Sequence, residues 1–135
     1  MRLIPRLAAT VTVTTLLLAG PLAAKTPLSQ VDEIDNGLMA IAIADEIRNR
    51  CDDIGARMIK ALATINALKS RAQALGYTDD EIEDYVTSKA EKARMREKAT
   101  AFLAAQGVNA KDTKALCAFG KQQIAKSTAI GVLLH

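Results

Sequence analysis

The chain has 135 residues, of which 18 are Lys or Arg and 15 are Asp or Glu, for a formal net charge of +3. Half of the residues are hydrophobic, but only 3% are aromatic. So few aromatic rings offer no stacking platform for bases, and so small a net charge offers no cationic surface for phosphates, which argues against nucleic-acid binding.

The first 24 residues have the order of a secretory signal peptide. Arg2 and Arg6 form a positively charged start, a short apolar run extends over residues 7–18, and small residues close the segment at Ala23 and Ala24. The apolar run is shorter than the roughly 20 residues that a membrane-spanning helix needs. We therefore predict cleavage after Ala24, export to the periplasm and no membrane span in the mature chain.

The predicted mature chain, residues 25–135, has the length of one domain. Cleavage removes Arg2 and Arg6 but no acidic residue, so the formal net charge falls by two, from +3 to +1. Abundant Ala, Leu, Lys and Glu favour helix, and no segment alternates with the period of a strand. We predict an all-α fold, a small bundle of three to five helices.

Apolar residues recur with a helical period from Val31 to Cys51 and again in a second run. A single helix through both runs would be unusually long, so a break is expected at Asp52 and Asp53. Gly76 is expected to close the second helix. The positions of the second run that we expect to face the core are Ile54, Met58, Leu62, Ile65, Leu68, Ala72 and Leu75.

The third and fourth helices are predicted from capping residues. Thr78 and Glu81 have the spacing of a capping box, which places the start of the third helix at Asp79. This helix is predicted to continue over residues 79–106 and to end at Gly107. Asn109 is then predicted to cap a fourth helix over residues 110–127.

Two segments carry more apolar residues than one helical face can bury, namely LMAIAIA over residues 38–44 and the C-terminal tail over residues 129–134. Two interpretations stay open. Both segments are buried in the chain's own core, or they form a partner surface. The residues of that candidate surface are Leu38, Met39, Ile41, Ile43, Ile130, Val132, Leu133 and Leu134.

The chain has two cysteines, Cys51 and Cys117. An even number of cysteines in an exported chain predicts a structural disulfide between them. The alternatives are two buried free thiols or a redox-active pair, although reactive pairs are usually close in sequence.

The charged residues have simpler explanations than catalysis or metal binding. The acidic run over residues 79–84 lacks the central Gly and the terminal Glu of a calcium loop, and acidic side chains at a helix start are favoured by the helix dipole. The one histidine, His135, is the last residue, which argues against a catalytic triad or a zinc site. We predict a non-enzymatic protein without catalytic residues, cofactor or metal.

Five stretches of the chain together resemble a known family: VDEIDNGLM, RCDDIGARM, LGYTDDEIEDYVTSKAEKARMR, CAFGK and AIGVLL. It is a family of signal-peptide-bearing helical periplasmic proteins of alphaproteobacteria that contain a domain of unknown function. The resemblance covers most of the mature chain and both cysteines, but it carries no activity and no catalytic residue. Genes of this family tend to lie near those for the respiratory NADH:quinone oxidoreductase. The resemblance therefore implies an accessory or assembly role on the periplasmic side of that complex.

Two functional hypotheses follow. The first is a periplasmic binding or accessory protein, whose partner is a protein such as a membrane respiratory complex. The alternative is a small periplasmic acid chaperone, which exposes apolar surface to client proteins when its carboxylates become protonated.

Overall fold

The computed structural model describes residues 24–135, so the predicted signal peptide lies outside the described residues except for Ala24. The described residues form five α-helices, and their only β-type pairing is an isolated bridge between Ala56 and Leu134. The predicted all-α class is confirmed. The helices are α1 (Asp32–Arg50), α2 (Met58–Ala74), α3 (Asp79–Thr87), α4 (Lys89–Ala105) and α5 (Thr113–Ala125), and two short 3₁₀ turns span Leu28–Gln30 and Gly131–Leu133.

Helix α1 lies at the centre of the molecule and contacts α2, α4, α5 and both 3₁₀ turns. Its side chains Ile43 and Ile47 are almost completely buried, as are Leu116 of α5 and Leu134 of the tail. These four are the largest fully buried side chains among the described residues. The core therefore forms around one helix that is covered from several sides.

The predicted break after the first helix is confirmed. Helix α1 ends at Arg50, Cys51 has an extended backbone with φ −115° and ψ 106°, and α2 begins only at Met58. Cys51 and Cys117 form a disulfide across a sequence separation of 66 residues. The disulfide joins the end of α1 to the middle of α5, so the predicted pairing is also confirmed.

We expect reduction of the disulfide to lower the free energy of unfolding by about 4 kcal/mol, because the bond closes a long loop in the unfolded chain. For a chain of this size the melting temperature should fall by roughly 20 °C. Thermal melts with and without reductant test this. The double variant Cys51→Ser/Cys117→Ser should melt at one temperature under both conditions. Two titratable thiols in denatured, unreduced protein would contradict the pairing.

Glycines end α2 and α4 as predicted. Gly76 and Gly107 have φ values of 90° and 75°, a left-handed conformation that strains any other residue. The predicted capping box is present as well, since Thr78 Oγ1 accepts a hydrogen bond from the Glu81 amide and Glu81 Oε2 accepts one from the Thr78 amide. The sequence therefore predicts this turn correctly, from the end of α2 to the start of α3.

The prediction of one helix over residues 79–106 is wrong, because the helix is interrupted at Ser88. Ser88 has a non-helical ψ of 126°, and its hydroxyl accepts a hydrogen bond from the Glu91 amide at 3.3 Å. Ser88 therefore caps α4 and separates it from α3. The spacing of Ser88 and Glu91 matches a capping box. It is not followed by an apolar run, because the residues after it are mostly charged, so the sequence pattern did not predict a helix start there.

The predicted start of the last helix is also wrong, by three residues. Asp112 is the capping residue, and its carboxylate accepts a hydrogen bond from the Ala115 amide at 3.1 Å. The Asn109 side chain instead accepts a hydrogen bond from the Lys111 amide and forms a local turn. Both residues are good caps, but only Asp112 meets the free amides of the first helical turn.

The C-terminal tail packs on the chain's own helices. Ile130, Leu133 and Leu134 are buried in the main core, and the backbone of His135 makes two hydrogen bonds to Gly55. A Cβ atom on Gly131 would lie 1.8 Å from the carbonyl oxygen of Gln123 in α5, so only glycine fits there. The structure shows the first of the two interpretations of the tail, burial in the chain's own core.

Truncation after Ser127 should therefore destabilise the protein by more than about 3 kcal/mol, because three buried aliphatic side chains leave the core. Urea unfolding of the truncated protein measures this. His135→Ala is the matched control, since this side chain is exposed and its loss should change stability by less than about 0.5 kcal/mol. A truncated protein as stable as the full chain would contradict the packing of the tail.

Candidate functional site

Helix α2 leaves large apolar side chains in contact with solvent. Ile59 is 89% exposed, Met58 64% and Leu62 59%, and Ile65 is exposed as well. Ala72 is the one fully buried residue of this helix. The prediction that Met58, Leu62 and Ile65 face the core is therefore wrong, and α2 presents apolar surface outward.

The physical reason is the way in which α2 packs. It lies against α1, and Leu68 fits against Gly37, where an added Cβ would come within 2.7 Å of it. This contact covers one side of α2. Since α4 packs against α1 rather than α2, no helix of the described structure covers the other apolar side.

An apolar groove with a volume of about 350 Å³ lies along the uncovered side. The floor comes from α1 and includes Leu38 and Ile41, while α2 supplies one wall with Met58 and Ile65. The opposite wall comes from α3 and α4. The side chains of that wall include Tyr85, Val86 and Met95, and the charged residues at the groove are Asp45, Arg48, Glu91 and Lys92.

A second depression of about 180 Å³ continues the groove toward the start of the described chain. The two adjoin at Leu38, Ile65, Tyr85 and Val86, and together they make up an apolar channel over α1. Along α1 the channel extends from Ile34 to Arg48, which corresponds to about 20 Å of helix. We call this channel the α1 groove.

A buried carboxylate holds the wall of the α1 groove in place. Asp35 of α1 accepts a hydrogen bond from Arg94 Nη2 at 2.6 Å and a second from Lys98 Nζ. Arg94 also donates to Glu91 Oε2 at 2.8 Å and to the hydroxyl of Tyr85 at 3.1 Å. One guanidinium therefore ties α1, α3 and α4 together and orients a side chain that lines the groove.

The ionisation of this cluster follows from its contacts. Burial alone would raise the pKa of Asp35, but the hydrogen bonds and positive charges of Arg94 and Lys98 outweigh it and hold the pKa below its ordinary value of 3.8. The hydrogen bonds to Asp35 and Glu91 raise the pKa of Arg94, and burial raises the pKa of Tyr85. At neutral pH the Asp35 carboxylate is therefore charged and paired with Arg94 and Lys98, and the Tyr85 hydroxyl beside Arg94 is uncharged.

The structure separates the residues of the predicted partner surface. Five of them, Met39, Ile43, Ile130, Leu133 and Leu134, are buried in the chain's own core, so they do not present a surface. Val132 is half-buried against the same core. Leu38 and Ile41 are half-buried and line the α1 groove, and the buried Leu133 also contributes to its lining. The tail and α1 therefore supply the core and the groove floor.

Sequence reasoning missed the exposed apolar residues of α2. Their helical spacing was interpreted as a core-facing stripe, although the segment carries additional apolar residues at Ile59 and Ala61 on other sides of the helix. The segment has more apolar positions than one helical face can hold, and this excess indicates that some of its apolar side chains are exposed. Val86 of α3 is a further exposed apolar residue, at 41%.

The acidic run at the start of α3 has partners within the chain. Asp79 pairs with Lys69, and Glu81 pairs with Lys25 as well as completing the capping box. Over residues 24–135, no group of three or more His, Cys, Asp or Glu side chains is arranged to hold a metal ion. In the same range, no helix has the length and apolar character needed to cross a membrane.

Comparison with known proteins places the chain in a family. A family model described as "Family of unknown function (DUF5333)" matches residues 26–135, which include every helix of the structure. The chain belongs to this family. No curated protein and no solved structure matches it.

Asp35→Asn should destabilise the protein by about 2 kcal/mol at pH 7, because two cations lose their anionic partner. The pKa of Asp35 is lowered by folding, so its contribution is present above about pH 4 and is lost as the pH falls through the lower, folded value. Urea unfolding between pH 7 and pH 2 should show the gap between wild type and variant shrinking below about pH 4.

Asp45→Asn is the matched control, since this exposed carboxylate pairs only with side chains of α1. Its effect should stay within about 0.5 kcal/mol at both ends of the pH range. An Asp35→Asn variant that unfolds like wild type at pH 7 would contradict the role of Asp35.

Proposed function

We propose that the chain is exported to the periplasm and acts there as a non-enzymatic binding or accessory protein. The observation that carries the proposal is the α1 groove, an apolar channel of helical length that the described residues leave uncovered. Apolar side chains from four helices converge on it, and the side chains at its rim are charged. Grooves of this kind accept the apolar face of a partner helix.

The walls of the α1 groove are held in a defined arrangement, which favours binding without a large entropic loss. The contact of Leu68 with Gly37 sets the position of α2, and the Asp35–Arg94 ion pair sets that of α3 and α4. Both contacts are made within the chain itself, so its own residues position the groove walls.

The resemblance to periplasmic proteins encoded near the respiratory NADH:quinone oxidoreductase suggests the partner. We propose a helix on the periplasmic side of that membrane complex as the segment that occupies the α1 groove. The alternative is an acid chaperone, which would expose apolar surface when its carboxylates become protonated. It is less favoured because the α1 groove is already open to solvent with the Asp35–Arg94 ion pair formed.

Photo-crosslinking in native membranes tests the proposal. A photoreactive residue in place of Val86, at the groove wall, should form a crosslink to one protein, which mass spectrometry should identify as a subunit of the respiratory complex. The matched control is the same residue in place of Ala118, an exposed position of α5 that lines no part of the groove. This control should give no such product.

The outcomes separate the parts of the proposal. Identical crosslinks from both positions, or none from Val86, would contradict binding in the groove. A single Val86 product with a protein outside the respiratory complex would keep the groove and overturn the assignment of its partner.

A further inference from the structure

The outward face of α2 has a composition that the α1 groove does not explain. Ile59 and Leu62 line neither part of the groove and are largely exposed to solvent. With Met58 they form a ridge of exposed apolar side chains over the first two turns, which we call the α2 ridge. A partner helix seated in the groove would leave most of the α2 ridge in water.

The charges of α2 have one sign. From Arg57 to Ala74 the chain contains four basic residues and no acidic residue. Lys69 and Arg71 pair with Asp79 and Glu33 of neighbouring segments. Arg57 and Lys60, which flank the α2 ridge, form no ion pair with any described residue.

The remaining exposed positions on the outward side of α2 are uncharged. They are small or polar side chains, and Gln73, at the far end of the helix from the α2 ridge, donates a hydrogen bond to the Asp79 carboxylate of α3. These positions are Ala63, Asn66, Ala67, Ser70, Gln73 and Ala74. The nearest acidic side chains before the helix are Asp52 and Asp53, of which Asp53 is paired with Lys121.

From this combination we infer that the α2 ridge docks on the surface of an anionic lipid bilayer. Exposed apolar side chains on a helix that has flanking cations and no acidic residue of its own match the boundary between anionic headgroups and acyl chains. The acidic side chains nearest to Met58 in the groove, Asp45 and Glu91, belong to α1 and α4. Ile59, Leu62 and Met58 enter the boundary, and Arg57 and Lys60 lie among the lipid phosphates.

Shape and charge argue against the other occupants of the α2 ridge. A second copy of the chain would bring two helices without acidic residues together, so their cations would repel each other. A protein partner would need a concave surface that encloses the almost fully exposed Ile59 on several sides, whereas a lipid surface deforms around such a side chain.

Docking of the α2 ridge on a lipid surface does not depend on the occupant of the α1 groove. The groove opens beside the α2 ridge, because Met58 belongs to both. A membrane contact through the ridge would therefore place the groove close to the bilayer surface. A protein partner in the groove is not needed for the lipid contact.

Co-sedimentation of the purified protein with lipid vesicles tests the inference. The protein should bind vesicles of phosphatidylglycerol and phosphatidylethanolamine, and bind vesicles of phosphatidylcholine much more weakly. Ile59→Ser/Leu62→Ser should lower the partition coefficient by about tenfold or more, because the apolar contact is lost. Lys60→Gln should lower it by about fivefold on the anionic vesicles only, and added salt should have the same direction of effect.

Val86→Ser is the matched control, since it removes an exposed apolar side chain from the groove wall and leaves the α2 ridge intact. It should bind the vesicles like wild type, and all variants should keep the wild-type melting temperature. Equal binding of wild type and Ile59→Ser/Leu62→Ser, or no binding to anionic vesicles, would overturn the inference. So would a wild-type dimer in sedimentation velocity that this double variant converts to a monomer without any vesicle binding.

Because the vesicles contain no protein, this experiment fails or succeeds independently of the crosslinking at Val86. Loss of vesicle binding alone would remove the membrane contact and leave the α1 groove as a protein-binding site. Loss of the Val86 crosslink alone would remove the groove partner and leave the lipid contact.

Discussion

The packing of the molecule depends on the need to cover α1. The segment LMAIAIA in the middle of this helix is apolar on more than one side, so no single neighbour can shield it from water. Helices α2, α4 and α5 and the C-terminal tail each cover part of it, and Ile43 and Ile47 are buried as a result. The tail folds back onto these helices, and its buried residues Ile130, Leu133 and Leu134 add to the core of a short chain.

The same requirement leaves α2 half covered. Helix α2 packs on α1 along one side, where Leu68 lies against Gly37, and no helix of the described structure covers its other apolar side. The break at Ser88 then directs α4 along α1, while α3 stays beside α2. The α1 groove lies between α2 and the wall formed by α3 and α4. Its shape therefore depends on the Ser88 cap, which separates α3 from α4, as well as on the apolar residues that line it.

Stability and binding surface are therefore supplied by different parts of the chain. The disulfide and the tail connect α5 to the core on one side, and the Asp35 cluster positions the groove wall on the other. Exposed residues such as Ile59 contribute little to the fold in water, because they stay in contact with solvent.

Local signals in the sequence determined much of this protein. The all-α class follows from composition and periodicity, the break near Cys51 from helix length, and the turn from Gly76 to Thr78 from capping chemistry. The disulfide follows from the even number of cysteines in a chain predicted to be exported. The position of exposed apolar surface was not determined in this way, because hydrophobic periodicity shows which residues share a helical face but not whether another helix covers it. Competition for a limited core decided that: α1 and the tail were buried, and α2 was left to face outward.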